Sequence, residues 1–114
     1  MKNVWLTVAL VFFTGLVMAQ DKTSEVKVWG NCGMCKKRIE KAAMLEGVSK
    51  ATWDKTTKML TLVYDDSKVT TADVEKKVAA VGHDTEHFYA EAKTYDGLPE
   101  CCLYDRKPKG KKDK

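Results

Sequence analysis

Glu25-Val26-Lys27-Val28-Trp29-Gly30-Asn31-Cys32-Gly33-Met34-Cys35-Lys36-Lys37-Arg38-Ile39-Glu40 changes its period in the middle. Up to Trp29 apolar and charged side chains alternate, as on a strand with one buried face. From Lys36 the apolar positions Ile39, Ala42, Ala43 and Leu45 recur at helical spacing, and Gly47 closes the run. The stretch predicts a strand, a short Gly30-Asn31-Cys32 junction and a helix from Lys36 to Glu46. Beyond it, Val48 to Trp53 and Lys58 to Tyr64 are rich in β-branched and aromatic residues. The polar turn Asp54-Lys55-Thr56-Thr57 between them makes a hairpin. Thr70 with Asp73 is a capping box ahead of Val74, Val78 and Val81, a second amphipathic helix that ends at Gly82. Asp84 to Tyr89 is expected to add a last strand, giving the order βαββαβ.

The two helices echo each other: Ile39-Glu40-Lys41-Ala42-Ala43-Met44-Leu45-Glu46-Gly47 aligns with Val74-Glu75-Lys76-Lys77-Val78-Ala79-Ala80-Val81-Gly82 at an offset of 35 positions. Glu and Lys are common on any helix surface, so the echo supports the order without carrying it alone. Neither strand-helix-strand half is long enough to bury its own apolar face. The expected class is therefore α+β, a ferredoxin-like βαββαβ sandwich with an antiparallel sheet and both helices on one face. Val28, Trp53, Leu60, Leu62 and Tyr64 should lie in the core, with Trp29 also read as a packing residue.

Lys2 precedes an uncharged apolar run from Val4 to Val17, and Val17-Met18-Ala19 resembles a secretory cleavage site before Gln20. The run is short for the ~20 residues of a membrane span, so a cleaved signal peptide over 1–19 is favoured over an uncleaved anchor. Of 114 residues, 95 then remain, enough for one small domain and too few for a multidomain enzyme. The mature chain mixes basic and acidic groups at a net charge of +3, which selects no particular partner. The expected location is periplasmic or secreted, without stable membrane insertion after cleavage, and the expected state is a monomer. In such an oxidising compartment a cysteine pair is a disulfide unless a metal or a redox partner holds it reduced.

Cys32-Gly33-Met34-Cys35 lies where strand gives way to helix, so both sulfurs can face one small space at the helix N-terminus. Unpaired backbone N–H groups, the helix dipole and the following Lys36, Lys37 and Arg38 should lower at least one thiol pKa. Two thiolates on a bend suit a soft ion of low coordination number, Cu(I) or Hg(II), ahead of Zn(II), which wants four ligands. An ion held by only two sulfurs stays open to an incoming thiolate, which is what passing it between proteins requires.

The segment Trp29 to Glu40, set in a βαββαβ pattern with the Gly47-Val48 helix exit, resembles the heavy-metal-associated domain family over residues 22–90. That resemblance implies Cys32 and Cys35 as metal ligands, a metallochaperone or scavenger function, and a metal-transporting ATPase or membrane transporter as partner. It also places His83, in the loop after Gly82, near the metal as a candidate third ligand. The family commonly has methionine two places before the first cysteine. Here Gly30 holds that position, and Met34 sits between the cysteines instead.

A thiol-disulfide oxidoreductase is the alternative, since CxxC at a helix start is also a redox motif. Pro99 and Pro108 lie too late in the chain to face the cysteines as a thioredoxin-like site demands. An RNA-recognition module of the same topology lacks its stacking aromatics, because Lys58 to Tyr64 has no glycine-containing aromatic motif, so no nucleic-acid partner is expected. His87 is read as a surface or edge residue. Residues 91–114 form a Cys-Cys segment and a basic disordered tail from Arg106 onward. Three uses of Cys101 and Cys102 are open: a bond to each other, structural bridges, or addition to the first pair as a four-thiolate site.

Overall fold

The computed structural model describes residues 21–108. The expected signal peptide over 1–19 and the part of the expected tail beyond Pro108 lie outside the described residues. The elements are β1 (Asp21–Lys27), α1 (Gly33–Ala43), β2 (Val48–Trp53), β3 (Met59–Asp65), α2 (Thr71–Ala80) and α3 (Ala92–Asp96), followed by a 3-10 turn over Glu100–Cys102. The strands form an antiparallel sheet in the order β1-β3-β2, so Leu60 of β3 faces both Val26 and Trp53. Burial alternates along β3, and Leu60, Leu62 and Tyr64 meet Ile39 and Ala43 of α1 and Val74 and Val78 of α2 in one core with Val28 and Trp53. This is the α+β ferredoxin-like class. Among the described residues no helix is long and apolar enough to cross a membrane.

Local chemistry explains the element boundaries. The Asp54 carboxylate accepts the N–H groups of Thr56 and Thr57 at 2.7 and 3.0 Å, which folds the hairpin turn. At the start of α2, Asp73 N–H donates to Thr70 Oγ1 at 3.1 Å, and Thr70 N–H donates back to the Asp73 carboxylate at 3.0 Å.

The last strand is where the structure departs from the sequence expectation. Between Asp84 and Tyr89 pairing with the Lys27–Trp29 stretch is reduced to an isolated bridge, Val28 with Thr85. Trp29 N–H to Asp84 O and Glu86 N–H to Lys27 O, both 2.9 Å, flank it. The cause sits on α2. The buried Glu75 carboxylate accepts Thr85 Oγ1–H at 2.9 Å and His87 N–H at 2.8 Å, with His87 Nδ1 at 3.0 Å. These bonds and Thr85 N–H to Phe88 O at 2.8 Å curl the chain into a turn before a strand can extend.

The segment after Ala90 is folded onto the domain, and the part of the expected basic tail that is described, Arg106 to Pro108, is folded with it. Leu98 sits over Gly82, whose φ is +109°; a Cβ there would come within 2.9 Å of Leu98 Cδ2. Tyr104 Oη donates to Gly82 O at 2.7 Å and accepts Asp84 N–H at 2.8 Å. Arg106 grips the buried Asp84 carboxylate at 2.6 and 3.0 Å and donates to Ala90 O at 2.6 Å, and Lys107 Nζ donates to Thr85 O at 2.6 Å. Arg106 and Lys107, the first two cations of the basic tail, therefore fasten a C-terminal arm.

Candidate metal centre

Cys32 is the N-cap of α1, in extended backbone conformation, and its carbonyl accepts the helix's opening bond from Lys36 N–H at 3.0 Å. Cys35 lies one turn in, on the buried face that also carries Ile39 and Ala43. The strand-to-helix junction thus sets the two sulfurs 3.5 Å apart, Cys32 half-buried and Cys35 fully buried. Asn31 braces the inner sulfur, with its N–H and its side-chain oxygen both 3.4 Å from Cys35 Sγ.

The junction rests on Trp53. Its indole lies beneath Gly30 and its Nε1–H donates to Val28 O at 3.0 Å, while Lys58 Nζ holds Gly30 O at 2.7 Å. A Cβ on residue 30 would lie 3.1 Å from two indole carbons and 3.2 Å from Cys35 Cβ. The absence of a side chain at this position is what admits the tryptophan. Because the indole is pinned by its own hydrogen bond, Gly30→Ala is expected to lower stability by about 1–3 kcal/mol in urea unfolding. An unchanged midpoint would show that the junction yields freely.

The electrostatics differ from the sequence expectation in their source. Partial burial opposes ionisation of Cys32, yet hydrogen bonds with Cys101, the Cys35 backbone, Cys102 and the Cys35 thiol outweigh it and lower the thiol to about 6. Burial pushes Cys35 up to about 12, and sharing a hydrogen bond with Cys32 holds Cys101 up at about 11. Lys36 is occupied elsewhere, bonding Glu40 at 2.6 Å and Trp53 O at 3.0 Å. Arg38 does reach a sulfur, but that of Cys102, at 3.2 Å.

The arm completes the cluster. Cys101 Sγ lies 3.2 Å and Cys102 Sγ 3.4 Å from Cys32 Sγ, and the sulfurs of Cys32, Cys35 and Cys102 all fall within 4.8 Å of one another. No cysteine among the four is in a disulfide. Among the described residues no histidine or carboxylate joins this group. His83 points elsewhere. Its Nδ1–H donates to Trp29 O at 2.8 Å, its ring stacks on Tyr104 at 5.1 Å, and its buried Nε2 has no protein partner among the described residues. His87 is exposed and pairs with Glu75. Sequence reasoning missed Asn31 and the link from Arg38 to Cys102. The CxxC pattern signals neither, since both depend on where the helix and the arm come to rest.

No protein-family model matches the sequence, and a search of curated proteins returns no match. Solved structures do match. The chain is 29% identical to the CopZ metallochaperone over 56% of this chain and 98% of that one, with a TM-score of 0.54. It is 25% identical to the N-terminal domain of a potential copper-translocating P-type ATPase from Bacillus subtilis, in its Cu(I)-loaded state, over 58% and 85%, with a TM-score of 0.55. It is 33% identical to a ZiaAN sub mutant over 57% and 94%, with a TM-score of 0.50. Each neighbour is spanned almost whole by little more than half of this chain.

Proposed function

The chain belongs to the heavy-metal-associated domain family, as a non-enzymatic metal-binding domain, and we propose that it is a carrier that takes a soft ion between Cys32 and Cys35 and gives it up by ligand exchange. The observation that supports this most is the sulfur pair 3.5 Å apart at the start of α1, one member buried and the other reachable. Soft, polarisable thiolates favour Cu(I) or Hg(II), and an N-terminal helix end stabilises the negative charge that remains on the site. Binding is an exchange of S–H bonds for metal–sulfur bonds, with the protons released to solvent. Handover reverses it as an acceptor thiolate replaces Cys32.

The likeness to a metallochaperone and to the N-terminal domain of a potential copper-translocating P-type ATPase suggests a metal-transporting ATPase or membrane transporter as donor or acceptor. If residues 1–19 direct export, the work is done outside the cytoplasm, in the periplasm or beyond the cell. Oxidation would otherwise claim the pair there, so the ion also protects the thiols.

Competition of the reduced full chain for Cu(I) against a chromophoric chelator tests the reading. Cys32→Ser and Cys35→Ser are each expected to weaken binding by more than about a hundredfold, the upper scale on which even residues supporting a ligand act. Wild-type protein that reduces insulin disulfides catalytically but fails to compete for Cu(I) would instead establish the oxidoreductase.

A further inference from the structure

We propose that the C-terminal arm supplies this site with its own third ligand, Cys102, and that Cys101 is the thiolate through which the ion arrives and departs. The inference rests on the reading of Cys32 and Cys35 as ligands. It goes beyond that reading in giving the arm a chemical task, whereas the neighbours match little more than half of this chain.

Distances decide between two and three ligands. With metal–sulfur bonds of about 2.3 Å, a linear two-sulfur site needs its sulfurs about 4.6 Å apart, and a planar three-sulfur site about 4.0 Å. Cys32 to Cys35 is 3.5 Å and Cys32 to Cys102 is 3.4 Å, with all three sulfurs inside 4.8 Å. The trio needs the smaller opening. Cys102 is also a fixed part of the domain, since it is fully buried, belongs to the core and has its N–H on Pro99 O at 2.7 Å. Leu98, Tyr104 and Arg106 hold the arm on either side of it. Three thiolates on Cu(I) carry a net charge of −2, one more than a pair leaves, and Arg38 Nη1 stands 3.2 Å from Cys102 Sγ to offset it.

Cys101 is different in kind. It is exposed, it sits 3.2 Å from Cys32 Sγ and 3.5 Å from the Met34 thioether, and Met34 is itself exposed. The sulfurs thus grade from buried Cys35 and Cys102 through half-buried Cys32 to the surface pair. On arrival, Cys101 bonds to the ion as the donor's thiolate leaves, and the Cys101 S–H proton passes to that thiolate. Cys32, Cys35 and Cys102 then bond to the ion as thiolates; the bond to Cys101 breaks, one proton released by the buried thiols returns to Cys101, and any other passes to solvent. No electrons change hands, and departure runs the same steps backwards.

The test loads the reduced full chain with one equivalent of Cu(I) without oxygen, counts sulfur neighbours by X-ray absorption, and times transfer to a chelator by stopped flow. Three sulfurs are expected in the wild type and two in Cys102→Ser, with at least tenfold weaker binding. Cys101→Ser should keep three sulfurs and the affinity but exchange at least tenfold more slowly. Should Cys102→Ser fail to fold, three sulfurs in the wild type, in Cys101→Ser and in Met34→Leu identify Cys102 by elimination. Two sulfurs in the wild type, or loss of the third in Cys101→Ser, overturns the assignment of Cys102. An unchanged exchange rate in Cys101→Ser overturns the role of Cys101. Failure of the wild type to bind Cu(I) at all would instead bring down the carrier reading beneath it.

Discussion

Replacing Asp84 by alanine is expected to cost about 3–5 kcal/mol, the usual consequence of removing one partner from a buried ion pair. The side chain is fully buried, and its two oxygens accept four hydrogen bonds: Ala90 N–H at 2.8 Å, Lys107 N–H at 3.1 Å, and Arg106 at 2.6 and 3.0 Å. Burial by itself would favour the protonated acid, but the Arg106 guanidinium and the two backbone N–H groups hold the carboxyl below its ordinary range. Alanine leaves those donors facing one another, at about 1–3 kcal/mol for each buried group that finds no water. The whole stability of a domain is about 5–15 kcal/mol, so the urea midpoint should fall steeply. Because Asp84 ties the arm down, Cys102 should also become open to alkylation. The control is Asp66→Ala, which breaks the 3.6 Å pair with Lys22. Both side chains there are more than half exposed, so the expected change is under about 1 kcal/mol. A loss at Asp84 no larger than that at Asp66 would mean that the arm is not fastened here.

Asp84 also marks the boundary of what the sequence made legible. Everything encoded by local periodicity or turn chemistry was readable: the alternation of Leu60, Leu62 and Tyr64, the Asp54 turn, and the Thr70–Asp73 cap. So was the meeting of Cys32 and Cys35, because three residues of helix start fix their separation whatever the rest of the chain does. What failed were contacts between positions far apart that involve polar side chains. Glu75 falls in an amphipathic helix where a glutamate ordinarily faces water, yet it is buried and bends residues 85–88 out of a strand. Arg106 stands first in a run of lysines whose composition signals a solvated tail, and the buried Asp84 and the Ala90 carbonyl opposite it make it structural. Composition averages over such a residue, whereas the fold depends on it alone.

The same distinction governs the cysteines. Spacing ties Cys32 to Cys35, but nothing local ties Cys101 and Cys102 to them across some 70 positions. Their approach depends on Leu98 finding the side-chain-free surface of Gly82 and on Tyr104 bridging Gly82 O and Asp84 N–H. The arm and the loop after α2 are therefore one structure. A change in that loop should be felt at the sulfurs, although no residue of the loop is among them.

His83 should make this loop sensitive to acid. The ring is fully buried, and that burial drives its pKa down to about 4; the bond to Trp29 O opposes the shift, while Arg38 adds to it. An unfolded chain protonates the same ring near 6.5. Between those values the unfolded state binds more protons than the folded one, so stability must fall as pH drops, beginning near 6.5 and levelling off below about 4. A separation of this size corresponds to about 3 kcal/mol. Other groups modify the curve. Cys32, with its thiol lowered to about 6, also loses stabilising ionisation as the pH drops below 7 and adds to the fall. His87 has its pKa raised by the Glu75 carboxylate, so it gains stability on acidification and masks part of the loss. Asp84, with its pKa lowered, withdraws its own contribution only at still lower pH, as its folded form takes up a proton. In a His87→Gln, Cys32→Ser background the contributions of His87 and Cys32 are both removed, and urea unfolding at pH 7 and pH 4.5 should differ by about 2–3 kcal/mol. Adding His83→Gln should flatten that difference even if the triple variant is less stable throughout, because the test is the slope and not the level. An equally steep dependence with residue 83 unable to ionise would place the acid sensitivity elsewhere and leave His83 without the penalty that its burial implies.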